Sequence, residues 1–544
     1  MDWNGTRDCR LAATREYIQL TKTVCEMPAG LVRSIRVVPG TLFPYHDRPS
    51  FSKRSPVERI LVLGATGYVG GRLVPRLLRE GYSVRCMARD PRKLYGRQWS
   101  GVEVTQGDVL DQESLARAMA GCGIVYYLVH SMGGGEATFV ERDRLAARNC
   151  VEAAAAAGIR RIIYLGGLGE RSDSPSPHLR SRNEVGEILG AGPVPVTEFR
   201  AAMIIGSGSA SFDMMHALVN RLPIMIAPRW VSTRSQPISI HDVLRYLVEA
   251  LTVSASAGRV IDIGGTDILT YREMMYRLAG ILGLTRRILV VPVLTPRLSS
   301  LWINLVTPIS ASLARALVEG LRSEMVCESD LAQRLFSFKP RGFDHSVVRA
   351  LDRIRSSAVE TTWSNASLAS RPEADVTLSD AQLLSDVQVL DVAAPPDIVY
   401  HVVSSIGGAN GWYYADMLWR LRGFMDKMIG GVGLRRGRRH PVELLPGDAL
   451  DFWRAESVEP GRSLVLRAEM KVPGRAWLEF SVAPLSETRS RLSQTARFYP
   501  RGLAGLAYWY GVYPVHVPIF SGMARAIARR AEALADGQTL PTRR

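Results

Sequence analysis

Between residues 59 and 169, short apolar runs alternate with amphipathic stretches, the pattern of a parallel sheet whose strands are joined by crossover helices. Strands are expected at 60–63, 83–88, 102–106, 124–129 and 161–165, with helices in the gaps. Residues 124–129 are apolar without a break, as in strands covered on both faces. Further strands at 196–199 and 260–263 extend the sheet, and helices near 212–220, 241–251 and 271–282 add a smaller lobe on the substrate side. The fold class expected is α/β, a doubly wound parallel sheet (Rossmann) over residues 56–345.

The pattern then changes. Residues 286–321 are mostly apolar but are broken by Pro292, Pro296, Arg297 and Pro308. That leaves no run of the roughly 20 apolar residues a spanning helix needs, so a hydrophobic lid or membrane-surface segment is the reading there. A linker covers 346–380, rich in Ser, Ala, Pro and Asp towards its end. Beyond it a strand at 383–390 leads through Pro395-Pro396 into a helix at 397–405. Strand-like runs at 449–456, 463–471, 476–483 and 491–498 predict a curved antiparallel sheet, closed by a helix at 518–535. Residues 381–536 thus read as an α+β helix-grip domain, followed by a tail at 537–544. Residues 1–55 form an irregular extension with no basic segment leading into an apolar run, so no secretory signal is expected.

Composition narrows the class. With 47% apolar and 22% charged residues the chain is an ordinary core-forming protein. The net charge of +16 is spread through an Arg-rich sequence, and nucleic acid is not an expected partner. Six cysteines, Cys9, Cys25, Cys86, Cys122, Cys150 and Cys327, are far apart and form no C-x-x-C pair, so neither a metal site nor a disulfide framework is expected and a reducing cytoplasm fits. The Arg435-Arg436-Gly437-Arg438-Arg439-His440 run reads as a solvated loop; beside the apolar 502–522 stretch it is also a candidate for peripheral contact with an anionic membrane at the inner face.

The chemistry begins at Gly64-Ala65-Thr66-Gly67-Tyr68-Val69-Gly70, between the first strand and an amphipathic helix. Gly64 permits the tight turn, Gly67 the close approach of a pyrophosphate, and Gly70 the contact of helix with strand, while the N–H groups around Thr66, Tyr68 and Val69 supply donors. Arg89, then Lys93, follow the second strand, where a basic residue meets the 2′-phosphate of NADP and an acidic one the ribose of NAD; NADP(H) is favoured over NAD. Asp108 and Val109 end the third strand on the adenine side, with a turn or cap as the alternative role for Asp108. Val129 and His130 leave the next strand near the central ribose. His130 is a candidate proton donor or a loop histidine held by a structural hydrogen bond.

With Tyr164-Leu165-Gly166-Gly167-Leu168-Gly169 and Pro237-Ile238-Ser239-Ile240-His241-Asp242-Val243, these residues resemble an NmrA-type atypical member of the extended short-chain dehydrogenase/reductase superfamily. Residues 57–535 as a whole are similar to a bacterial group that joins such a domain to a C-terminal domain of unknown function, and that second part resembles START-like, polyketide-cyclase-like folds. The latter resemblance implies an apolar cavity, with Gly411-Trp412-Tyr413-Tyr414 and Tyr508-Trp509-Tyr510 as lining or, alternatively, as core.

Orthodox members of the superfamily carry a catalytic Tyr and Lys four residues apart. Here the corresponding place holds His178 and Arg182, and the usual Ser is replaced by Gly166 or Gly167. His178 is the candidate acid/base and Arg182 the candidate ribose ligand. Two functions follow: an NADPH-dependent reductase of a hydrophobic, quinone- or isoprenoid-like substrate, or, as among NmrA-like relatives, a non-catalytic NADP(H)-binding redox sensor or assembly factor for a membrane or respiratory complex.

Overall fold

Alternating apolar strands and amphipathic helices fold as their periods dictate. The computed structural model describes residues 58–97, 99–130, 136–169, 177–291, 303, 307, 311–321, 323–366, 383–434 and 438–538. The expectations for residues 1–55, for the later part of the 346–380 linker (367–380), for most of 292–310 and for 435–437 lie outside the described residues. The earlier part of that linker is corrected, since the helix Phe343–Arg355, with Phe343, Val347, Ala350 and Leu351 buried, belongs to the first half.

Seven strands form the first sheet: β1 (Arg59–Leu63), β2 (Ser83–Ala88), β3 (Val102–Gln106), β4 (Ile124–Tyr127), β5 (Arg161–Gly167), β6 (Val196–Ala201) and β7 (Val260–Ile263). Their order is β7-β6-β5-β4-β1-β2-β3, all parallel. The chain runs outward from β1 to β3, then returns to β4 on the other side of β1. That reversal opens a crevice at the carboxyl ends of β1 and β4, where a doubly wound sheet binds its ligand.

Both faces are covered. On one, α1 (Gly70–Arg79) brings Leu73 and Leu77 against β1 and β2. On the other lie α2 (Gln112–Met119), α3 (Glu136–Ala156) and α4 (Pro177–Gly190). The inner face of α3 carries Ala146, Ala147, Cys150, Ala153 and Ala154. These small side chains let the helix sit close to the sheet. The motif at 237–243 starts α5 (Ile240–Glu249), and its Asp242 is a structural clamp: the buried carboxylate accepts from the Arg341 backbone N–H at 2.8 Å and from its Nη1 at 2.7 Å. Cys86, Cys122 and Cys150 are buried thiols, and burial pushes Cys86 and Cys150 up to about 12.

The second sheet is antiparallel. Its strands are β8 (Leu384–Val392), β9 (Ala449–Leu450), β10 (Trp453–Glu459), β11 (Ser463–Ala468), β12 (Gly474–Ser486) and β13 (Arg489–Pro500), in the order β8-β13-β12-β11-β10-β9. Three helices accompany it: α6 (Pro396–Ser404), α7 (Asp416–Met428) and α8 (Gly502–Ala535). Phe520, Met523, Ile527 and Ala531 recur at helical spacing and bury the second half of α8 against this sheet.

Two further expectations are corrected. The run 449–456 is a hairpin, β9 and β10, because Asp451 adopts a left-handed φ of 54° and its carboxylate holds the turn through Trp412 Nε1 at 2.9 Å and the Gly408 N–H at 3.1 Å. The last helix begins at Gly502, well before residue 518. Pro514 and Pro518 lie inside it on the exposed side, where the N–H each lacks costs a ladder bond without stranding a buried partner. Trp412 is core: with Trp419, Phe452 and Trp453 it forms a stacked cluster that fills the space beneath the second sheet. Trp509 is likewise buried against Phe498, whereas Tyr510 is exposed.

Candidate functional site

The glycine turn is forced by close backbone approach. Gly64 has φ +90°, and a Cβ there would lie 2.5 Å from the Leu128 carbonyl oxygen; one at Gly70 would lie 2.3 Å from the Gly64 oxygen. A Cβ at Gly67 would meet only that same oxygen, at 3.2 Å. The turn therefore touches the loop leaving β4, and α1 rests directly on the turn. No side chain caps α1, and its first turn holds no acidic residue; the Gly67 N–H closes the turn on the Gly64 carbonyl at 3.0 Å, so the N–H groups of Tyr68 and Val69 and the positive end of the helix suit an anion. The cradle fits a dinucleotide pyrophosphate.

Tyr68 and Val69 complete the turn. Tyr68 is held from behind: its carbonyl accepts from Thr361 Oγ1 at 2.8 Å, the Arg72 guanidinium lies 4.7 Å from its ring centre, and its buried hydroxyl has no partner. Arg97 is a residue that sequence reasoning missed. Its Nη2 donates to the Thr66 carbonyl at 3.1 Å, and burial lowers its pKa to about 10. The signal was there, as the next basic residue after Lys93.

Arg89 is exposed at the end of β2. Lys93 lies alongside Gly447 of the C-terminal half, and burial, with the Arg454 and Arg89 charges nearby, lowers it to about 8. The two lie at the same corner, where the Asp90 carboxylate between them is paired with Arg92 at 2.9 Å. Asp108 lies just past β3, and its Oδ1 accepts the Leu110 N–H at 3.1 Å while Ser114 Oγ donates to its carbonyl at 2.8 Å. One carboxylate oxygen thus serves the turn, the alternative role considered for it. Val109 and Val129 pack against the core under α2 and α3, and the Val109 carbonyl accepts from Asn149 Nδ2 at 3.2 Å.

Next to the turn, His130 and His178 meet. His130 Nε2 lies 3.0 Å from His178 Nδ1, and His130 Nδ1 lies 2.9 Å from the buried carboxylate of Asp143. Ser181 Oγ also donates to Asp143, at 3.1 Å. With Asp143 ionised, His130 gives it the Nδ1–H and accepts the Nδ1–H of His178, which leaves a lone pair on His178 Nε2. Burial lowers the pKa of both imidazoles despite the carboxylate, and the Arg182 charge lowers each further. The result is a carboxylate–imidazole–imidazole chain, neutral in its rings.

Each member has a local reason for its place. Asp143 precedes Ala146 and Ala147 by three and four positions, so it lies on the sheet-facing stripe of α3. An acid on an otherwise small-residue stripe was the sequence signal for it. His178 starts α4, which is tied to α3 by Arg144 Nε donating to Glu184 Oε1 at 2.6 Å. Arg182 follows one turn on. Its carbonyl accepts from Tyr164 at 2.9 Å, and its Cδ lies 3.5 Å from where a Cβ on Gly167 would be. The missing serine side chain is therefore the space that Leu179 and Arg182 approach.

Fold, switch point and glycine cradle define a Rossmann-type dinucleotide-binding protein. Residues 64–193 match the NAD(P)H-binding family, and residues 378–523 match a family described as a protein of unknown function (DUF2867). The chain is 32% identical over 232 residues to the (4-alkanoyl-5-oxo-2,5-dihydrofuran-3-yl)methyl phosphate reductase of Streptomyces griseus, covering 41% of this chain and 74% of that protein. It is 27% identical over 214 residues to photosystem II assembly factor Ycf39 of Cyanophora paradoxa, covering 38% and 63%. Among solved structures, a nucleoside-diphosphate-sugar epimerase from Staphylococcus aureus superposes with a TM-score of 0.45 at 19% identity, covering 54% of this chain and 99% of that one. The chain belongs to the family of that Streptomyces reductase, with an NAD(P)H-binding domain at residues 64–193.

Proposed function

We propose that the protein is an NADPH-dependent reductase of an apolar conjugated carbonyl compound, with His178 as the proton-transfer group. The observation that carries this reading is the Asp143–His130–His178 chain, held at 2.9 and 3.0 Å beside the glycine turn. Thr66, Gly67, Tyr68 and Val69 would hold the pyrophosphate, Arg89 and Lys93 the 2′-phosphate, Asp108 and Val109 the adenine side, and Arg182 the ribose hydroxyls. When bound, NADPH supplies the hydride.

The residues of this chain manage the proton. His178 is neutral at rest; its Nε2 lone pair takes up a proton from solvent and delivers it to the substrate oxygen as the adjacent carbon gains the hydride, so the imidazolium is transient. Its Nδ1–H stays on His130, whose own Nδ1–H rests on Asp143, so the carboxylate balances the charge on the imidazolium before transfer. This arrangement takes over the work of the absent Tyr and Lys. The name of the Streptomyces relative describes an alkanoyl-substituted oxo-dihydrofuran, which supports a conjugated carbonyl with an apolar arm. A six-stranded antiparallel sheet whose first and last strands pair, with a long helix following the last and packed on it, supports a START-like role for that half in presenting such an arm.

The test is oxidation of NADPH, followed by absorbance, across a panel of enones and quinones. Turnover lost in His178→Ala with NADPH binding retained supports the proposal. Tight NADPH binding without oxidation of any panel member would sink it in favour of a non-catalytic sensor or assembly factor, the reading that the missing Tyr and Lys favour.

A further inference from the structure

Helix α7 is built inside out. An amphipathic helix ordinarily buries its apolar stripe, and in α7 Met417, Leu421, Phe424, Met425 and Met428 recur at the required spacing of three and four. Yet Met417 is 78% and Met428 69% exposed, whereas Asp426 is fully buried. The interior side carries Trp419 in the aromatic core together with the two charged residues Asp426 and Lys427, both hydrogen-bonded. Asp426 accepts from the Lys471 backbone N–H at 2.7 Å and from that of Gly433 at 2.9 Å, and Lys427 Nζ donates to the Thr307 carbonyl at 3.2 Å. These bonds fix which way the helix faces, so the exposed stripe is not a helix waiting to rotate into the core.

The first half of α8 continues that surface. From Gly502 to Ala524 no residue is Asp, Glu, Lys or Arg, and Leu503 is 84% and Tyr510 65% exposed. Arg422 Nη2 of α7 reaches Tyr508 of α8 at 3.5 Å, which brings the two helices together; Lys471 Nζ, from the loop before β12, donates to the Ile429 carbonyl just past the end of α7 at 2.8 Å. Arg420 of α7 and Arg501, just before α8, are exposed, as are Lys471 in the loop that reaches the end of α7 and Arg475 at the start of β12. The acids within them, Asp416 and Asp426, are spent on backbone N–H groups, Asp416 on that of Trp412 at 2.8 Å. A contiguous apolar face rimmed by cations fits the headgroup boundary of an anionic bilayer, where apolar side chains enter the acyl layer and each cation gains from the surface potential. Among the described residues no helix is long and apolar enough to cross a membrane, so the contact is one of lying on the surface.

We propose that the exposed face of α7 and the first half of α8 docks the protein on an anionic lipid surface. Arg438 and Arg439, in the basic run first considered for this role, are excluded from it: they turn inward, Arg438 to the carbonyls of Ile406 and Val442 and Arg439 to Asp448. The proposal goes beyond the reductase reading and does not depend on it. The experiment is co-sedimentation of the full chain with vesicles of phosphatidylcholine alone and of phosphatidylcholine mixed with phosphatidylglycerol. Binding to the mixed vesicles is expected to weaken about fivefold for each of Arg420→Gln and Arg501→Gln, to fall with added salt, and to be abolished in the triple variant Leu421→Ser, Phe424→Ser, Met428→Ser. An unchanged circular dichroism spectrum and Tm of that variant show that its second half is folded. Wild-type protein left in the supernatant with both vesicle types overturns the proposal. So does a dimer in solution that the triple substitution dissociates, which would make a second copy the occupant of this face.

Discussion

Arg72, in the first helix after the glycine turn, donates from Nε to Thr361 Oγ1 at 2.8 Å, although 289 positions separate the two residues. Thr361 passes the contact on to the Tyr68 carbonyl, and Arg72 Nη2 also holds the Ser207 carbonyl at 2.7 Å. The segment just after the Rossmann half thus braces the cofactor turn from behind. Thr361→Val leaves a buried guanidinium donor unpaired and is expected to cost about 1–3 kcal/mol. A lowered Tm, together with weaker NADPH binding by calorimetry, checks this; unchanged values for both would refute the brace.

The proton chain is tested by its middle member. His130→Ala and Asp143→Asn are each expected to lower kcat by about 10²–10⁴-fold, with NADPH affinity retained. A smaller loss in Asp143→Asn than in His130→Ala is consistent with positioning. Equal activity of all variants and wild type would exclude proton transfer through this chain.

Both imidazoles have folded-state pKa values below the ordinary 6.5, which fixes the sign of a pH effect. Below 6.5 the unfolded chain takes up protons that the folded chain refuses, so stability is full above that value and is lost as pH falls from it towards the folded values. The double variant His130→Gln, His178→Gln should show a flatter dependence of Tm on pH between neutrality and pH 5. Asp213 acts in the opposite sense. Burial raises it from 3.8 to about 7, despite hydrogen bonds from Gly208 and Trp363. The folded chain holds the extra proton, so that contribution is lost as pH rises from about 4 to 7. Asp213→Asn should remove it, raising Tm relative to wild type more at pH 8 than at pH 5.

Coenzyme preference is tested at the end of β2. Arg89→Asp should lower the ratio of NADH to NADPH dissociation constants by at least about tenfold, the loss of one charge-assisted phosphate contact. Arg97→Ala should weaken both coenzymes, because its guanidinium lies on the Thr66 carbonyl within the turn. A selective effect of Arg97→Ala on NADPH alone would reassign it to the 2′-phosphate.

Much of this was legible in the chain. Strands β2, β3 and β7 fall where the sequence runs place them: β2 is buried over nearly its whole length, whereas β3 and β7, at the two edges of the sheet, are bounded by turn residues and only partly covered. The glycine turn was legible because only a residue without a side chain fits 2.3–2.5 Å from a carbonyl oxygen. Asp143 was not, since an acid on a helix reads as solvated until a histidine 13 positions away in sequence is seen to point at it. The first half of α8 was hidden by Pro514 and Pro518, and the orientation of α7 by an apolar stripe that local patterning assigns to the core.

The second sheet places its earliest strand, Leu384–Val392, beside its latest, Arg489–Pro500, in a register that runs the whole length of β8. During synthesis, β8 therefore emerges with no partner and stays unpaired until the chain is almost finished, whereas β1 to β6 each find a neighbour already made or soon to follow. A nascent chain released early would carry a finished nucleotide-binding half and an open strand edge. The birth of the second half, and not of the first, is where this protein is exposed to misassembly.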